Sequence, residues 1–135
     1  MRLKLPAEAS SCRAARELLR RLKDSIPAAV LADMELAADE LLTQSLLVQP
    51  PANGTITFEM DASRYEVTMA VEDVADPVGP PRPITADDAA TLGLVVVDQV
   101  ADRWGMEQHG DVIRTWATFA LPSPADEDVR PAAAS

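Results

Sequence analysis

Two successive rows of alternating side chains limit the fold most. Over Thr55–Met60, Ile56, Phe58 and Met60 fall on one side while Thr57 and Glu59 fall on the other. After a turn at Asp61–Arg64, the row Tyr65, Val67, Met69, Val71 repeats the pattern and its phase continues to Asp73. A period of two places alternate side chains on opposite faces of a strand, so both segments are predicted to be half-buried strands with one apolar face. Asn53-Gly54 marks the turn that leads into the first of them.

An apolar sheet face needs a cover, and the segments before these strands supply helical spacing. From Ser11 to about Ser25, Ala15, Leu18, Leu19 and Leu22 form a stripe opposite Arg13, Arg16, Arg20 and Arg21. Pro27 suits the first turn of a second helix, in which Leu31, Met34, Ala38, Leu41, Leu42 and Ser45 form an apolar face until Pro50 and Pro51. Arg2–Leu5 can add a short first strand. The segment Val74–Pro83 holds four prolines and one glycine and is predicted to be a loop, with Thr85 or Asp87 capping a helix that runs to about Asp102. Val95–Val97 also suit a strand, but the length of the apolar pattern favours helix. Trp104–Gln108 and Val112–Leu121 form a last hairpin about His109-Gly110-Asp111, with Ile113, Thr115, Ala117, Phe119 and Leu121 on its apolar face. The predicted fold is an α+β two-layer sandwich, a mostly antiparallel sheet covered on one face by about three helices.

The 135 residues suffice for one domain, assigned to 1–121; the tail 122–135 is too poor in apolar residues to offset its ordering entropy and is expected to be disordered. Lys and Arg total 12 against 22 Asp and Glu, a formal charge of -10, which argues against nucleic-acid binding and favours basic partners. Without an apolar N-terminal stretch or any run of about twenty apolar residues, neither a signal peptide nor a membrane span is expected, and a cytoplasmic protein follows. The lone cysteine, Cys12, excludes an internal disulfide; it lies near a helix start that can lower a thiol pKa, but without a neighbouring histidine or second cysteine it reads better as an inert small residue. The single histidine, His109, is placed in an exposed turn, which supports neither a histidine-rich metal site nor a Ser-His-Asp arrangement.

Three polar positions lie beside or within apolar rows. Glu40 and Gln44 sit about 40° apart on a helical wheel, sharing a flank with Asp33 and Ala37; the competing explanation is a solvated flank. Asp73 occupies the inward phase of its strand, where a carboxylate must find a donor, a ligand or water, unless the strand has already ended. Thr115 interrupts an apolar row, which strand propensity also explains. Gly93, between the Pro-rich loop and a helix, can let backbone amides approach an anion. No Walker-type loop and no G-x-G-x-x-G occur.

Taken in order, ADELLTQSL, VEDVADP, TLGLVVVDQVADRWG and RTWATFAL resemble the histidine-kinase-like (GHKL) ATPase domains, and among them the bacterial anti-sigma factor serine protein kinases, over about Leu3–Leu121. The resemblance implies a sandwich that clamps ATP between helices and sheet. It also implies partners that are proteins, a sigma factor or an anti-sigma-factor antagonist, and a possible homodimer. By the family's Glu-Leu-x-x-Asn-Ala motif, Glu40 is the catalytic base and Gln44, with Ser45 beside it, replaces the asparagine that holds Mg2+. By Asp-x-Gly, Asp73 binds the adenine amino group while Ala75 replaces the glycine; by Gly-x-Gly-Leu, Gly93 and Leu94 remain at the phosphates while Thr91 replaces the first glycine. Thr115 matches a threonine that holds adenine, and ADRWG, the closest verbatim likeness, is a packing feature.

These departures have physical consequences. Mg2+ demands octahedral oxygen ligands at about 2.0–2.1 Å, and Gln44 presents its carbonyl on a stem one methylene longer than asparagine's. Ala75 and Thr91 add Cβ groups where the family places glycine. The resulting expectation is a regulatory, anti-sigma-factor-like protein that binds partners through a GHKL-type fold with impaired or lost ATP binding. The alternative is an active ATP-dependent serine protein kinase that phosphorylates an anti-sigma-factor antagonist.

Overall fold

A computed structural model describes residues 1–6, 8, 10–45, 54–74 and 94–122. The elements run β1 (Arg2–Pro6), α1 (Ser10–Arg20), α2 (Ala28–Thr43), β2 (Thr55–Ala62), β3 (Glu66–Val74), α3 (Val95–Val100), β4 (Arg103–His109) and β5 (Val112–Ala120). The strands form one sheet in the order β1-β2-β3-β5-β4, each neighbouring pair antiparallel. Among the described residues, five antiparallel strands with three helices make the α+β sandwich that the patterning predicts.

Alternation sets the faces. Ile56, Phe58 and Met60 of β2, Val67, Met69 and Val71 of β3, and Ala117 and Phe119 of β5 are buried with Ala15, Leu18 and Leu19 of α1, Met34, Ala38, Leu41 and Leu42 of α2, and Val97 of α3. Each fully buried large side chain contributes about 1.5–3 kcal/mol of transfer free energy, so this shared layer holds the helices against the sheet. Local hydrogen bonds fix the corners. The Ser11 hydroxyl donates to the Pro6 carbonyl where β1 passes into α1. The Ser63 hydroxyl accepts from the amides of Tyr65 (3.2 Å) and Glu66 (3.1 Å), which tightens the β2–β3 turn. At the β4–β5 hairpin Gly110 has φ +65, a conformation that costs glycine no steric penalty.

The opposite sheet face is polar. Arg2 bonds Glu59 (2.8 Å) and Glu72 (3.3 Å), and Arg114 bonds the same two carboxylates at 3.3 Å and 2.8 Å. Burial opposes the Arg114 charge, but the hydrogen bonds and charges of Glu59 and Glu72 outweigh it and hold the guanidinium above its ordinary range. On this face Trp116 packs over Gly105, where an added Cβ would lie 2.8 Å from Cζ2 of the indole. Gly105, the last residue of ADRWG, therefore has a packing role.

Several boundaries differ from expectation. α1 ends at Arg20, and hydrogen-bonded turns carry the chain through Ser25 and Ile26. Tyr65 is 62% exposed, because it precedes β3 at the turn rather than joining the inward row. β2 continues to Ala62, paired with Val67. His109 is the last residue of β4 rather than a turn residue, exposed and 3.0 Å from Glu107. Val95–Val97 are helical, in an α3 that ends at Val100. The predicted loop beyond Val74, its caps Thr85 and Asp87, and the tail after 122 lie outside the described residues. Among the described residues no helix is long and apolar enough to cross a membrane.

Candidate functional site

β3 does not end before Asp73. Asp73 pairs with Ile56 of β2 and Ile113 of β5, and the ladder continues to Val74 opposite Val112. The inward phase therefore holds, and Asp73 lies under the helices with 6% of its surface exposed. Thr115 faces the same side, paired with Val71 and thus diagonal to Asp73 across the β3–β5 ladder. It is buried as well.

The end of α2 closes over this part of the sheet. Gln44 keeps helical dihedrals (φ -61, ψ -44), its backbone N–H donates to the carbonyls of Glu40 and Leu41, and the helix passes into a π-type turn at Gln44–Ser45. Such turns displace side chains relative to a regular helix. Gln44 and Ser45 are both buried, while Glu40, one turn earlier, is half-buried. The shared wheel position thus does not give a shared environment: Gln44 is not on a solvated flank. Leu94 is buried in the core beside the start of α3. Ala75, Thr91 and Gly93 lie outside the described residues.

The electrostatics centre on Asp73. Burial pushes its carboxyl above the ordinary range, and a hydrogen bond from Ser45 pulls in the opposite direction without cancelling it. Its Oδ1 has no hydrogen-bond partner among the described residues, and neither has Oε1 of Gln44; both atoms are sealed from solvent. A buried acceptor left unpaired costs about 1–3 kcal/mol, so this corner carries two unmet demands for a donor. Ser45 is the member whose part sequence reasoning did not assign. Its signal was a hydroxyl in the apolar phase of α2, next to Gln44.

The two acceptors are compared with the groups implied by the resemblance. Asp73 has the acceptor chemistry that an exocyclic amine requires, but its Oδ1 is sealed from solvent as the Gln44 oxygen is. Gln44 does not fit Mg2+ as it is placed. The ion keeps several of its waters and approaches ligand oxygens to about 2.0–2.1 Å, whereas the Gln44 carbonyl is sealed inside the domain. A cavity of about 230 Å³ along the polar sheet face is lined by Arg2, Lys4, Thr57 and Glu72 and reaches the candidate site at Asp73. Cys12, half-buried, has its thiol pKa raised by burial and by the Asp39 charge, which removes the helix-start activation considered from sequence.

A solved structure supplies the comparison. The crystal structure of the RsbU and RsbW domains of Rv1364c from Mycobacterium tuberculosis matches this chain with a TM-score of 0.63. The likeness is one of fold. Sequence identity is 16%, and the match covers 91% of this chain but only 34% of that one. No protein-family model matches the sequence, and no curated protein matches it.

Proposed function

We propose that the chain is a regulatory protein-binding module of the anti-sigma-factor kind, which keeps a histidine-kinase-like sandwich while its nucleotide pocket is impaired. Its fold resembles that of the RsbU and RsbW domains of Rv1364c, and its motifs resemble those of the anti-sigma factor serine kinases. A sigma factor or an anti-sigma-factor antagonist is the corresponding class of partner. The observation that carries the impairment is the burial of Gln44, whose only metal-ligating atom is sealed from solvent. In this reading Glu40 has no metal-bound nucleotide to act upon, and no phosphoryl-transfer step follows. Ala75 and Thr91, in place of the family's glycines, point the same way.

One observation favours the alternative, an active kinase. The Oδ1 of Asp73, the residue to which the motif resemblance assigns the adenine amino group, has no partner among the described residues, and a bound base would satisfy it. Restoring the motif residues separates the two. The triple substitution Gln44→Asn, Ala75→Gly, Thr91→Gly should create Mg-dependent ATP binding, measured by calorimetry, that the natural chain lacks. Equal affinity in the natural chain and the triple variant would remove the case for impairment.

A further inference from the structure

Charge is unevenly distributed in this acidic chain. Five of its 12 Lys and Arg fall between residues 13 and 23, so that residues 10–26, with Glu17 and Asp24 as their only acids, carry a net +3 in a protein of formal charge -10. The structure places this charge on α1 and the turn after it. The apolar side of α1, Ala15, Leu18 and Leu19, is buried, and two cations turn to acids on α2: Arg16 to Asp39 at 3.4 Å and Arg20 to Glu35 at 3.2 Å. Arg13, Arg21 and Lys23 are exposed, with no ion pair among the described residues.

Helix stability accounts for part of this pattern only. Cations at the C-terminal end complement the helix dipole, which explains Arg20 and the turn that follows. Arg13 lies in the first turn, where the dipole disfavours a cation, and α1 has no acid in that turn to offset it. Solubility does not call for it either, since the rest of the chain already supplies a large net charge. Three exposed cations without an ion pair among the described residues, one of them placed against its own helix dipole, complement negative charge.

We infer that α1 and the following turn dock an acidic protein segment, with Arg13, Arg21 and Lys23 as the contacts that steer it. Complementary charge of this kind raises encounter rates and fixes orientation, and it is screened over about 8–10 Å at ordinary salt. The inference rests on the protein-binding reading above and supplies the chemistry of the partner. The overall acidity of the chain, which by itself favours basic partners, is reversed locally over residues 10–26.

The test uses the full chain and a fluorescein-labelled decaglutamate peptide, followed by anisotropy at about 50 mM and 300 mM NaCl. The natural protein should bind at the lower salt and lose most of that binding at the higher. The triple variant Arg13→Gln, Arg21→Gln, Lys23→Gln should bind about tenfold more weakly with an unchanged circular dichroism melt, whereas the control Lys4→Gln, Arg64→Gln should bind like the natural chain. Failure of the natural protein to bind the peptide at low salt, or equal weakening in the control, would overturn the inference. So would binding to phosphatidylserine vesicles with none to the peptide. Tight MgATP binding by the natural chain would overturn the impaired-pocket reading but leave the peptide result standing, so the two failures are distinguishable.

Discussion

Replacing Asp73 by asparagine should stabilise this protein at neutral and alkaline pH. The carboxyl is 6% exposed, accepts a hydrogen bond from Ser45, and has its second oxygen sealed without a partner among the described residues. Burial, the larger influence, raises its folded-state pKa above the ordinary value of 3.8. A raised carboxyl pKa means that the native state holds the proton more tightly than the unfolded chain does. The stability associated with Asp73 is therefore fully present below about 3.8 and is lost as pH rises through the folded-state value. Asparagine does not titrate, so the variant should lack this loss. Its amide still leaves one neutral polar group unpaired, and only the charge-dependent part of the penalty is recovered, on the order of 1 kcal/mol. For a domain of this size that corresponds to roughly 3–5 °C in Tm. Urea denaturation at pH 5 and pH 8, followed by circular dichroism, measures the difference. The gain of the variant should grow from the lower pH to the higher. A gain independent of pH, or a variant less stable at pH 8 than the natural protein, would refute the reasoning.

Two further outcomes follow from packing and charge. Gly105→Ala should cost about 1–3 kcal/mol in urea denaturation, because the new methyl meets the Trp116 ring at 2.8 Å and the indole must shift over the sheet. Arg114→Met should destabilise by about 1–2 kcal/mol in the same assay, since it deprives two half-buried carboxylates, Glu59 and Glu72, of a shared partner while Arg2 remains.

Most of the fold was legible because strand alternation is a local signal. Ile56, Phe58 and Met60 could be assigned inward from spacing alone, and the register between β2 and β3 confirms the row. Tyr65 broke the pattern because the β2–β3 turn, tightened by Ser63, takes up the first position of the row. For the site, spacing identified the residues without their environments. Glu40 and Gln44 share a helical stripe, but only Gln44 lies where α2 ends in its wider turn, and that depends on distant contacts between α2 and the sheet. Whether Asp73 remained within β3 was equally non-local, since the ladder to Val112 on β5 carries the strand past it. The Ser45–Asp73 hydrogen bond joins residues that no short window contains.

The central claim, a retained fold with an impaired nucleotide pocket, is tested most directly by calorimetric titration of the full natural chain with ATP and ADP, with and without Mg2+. The account predicts no Mg-dependent binding, because the Gln44 oxygen is sealed. Heat released with micromolar affinity, enhanced by Mg2+ and lost in Asp73→Asn, would contradict it.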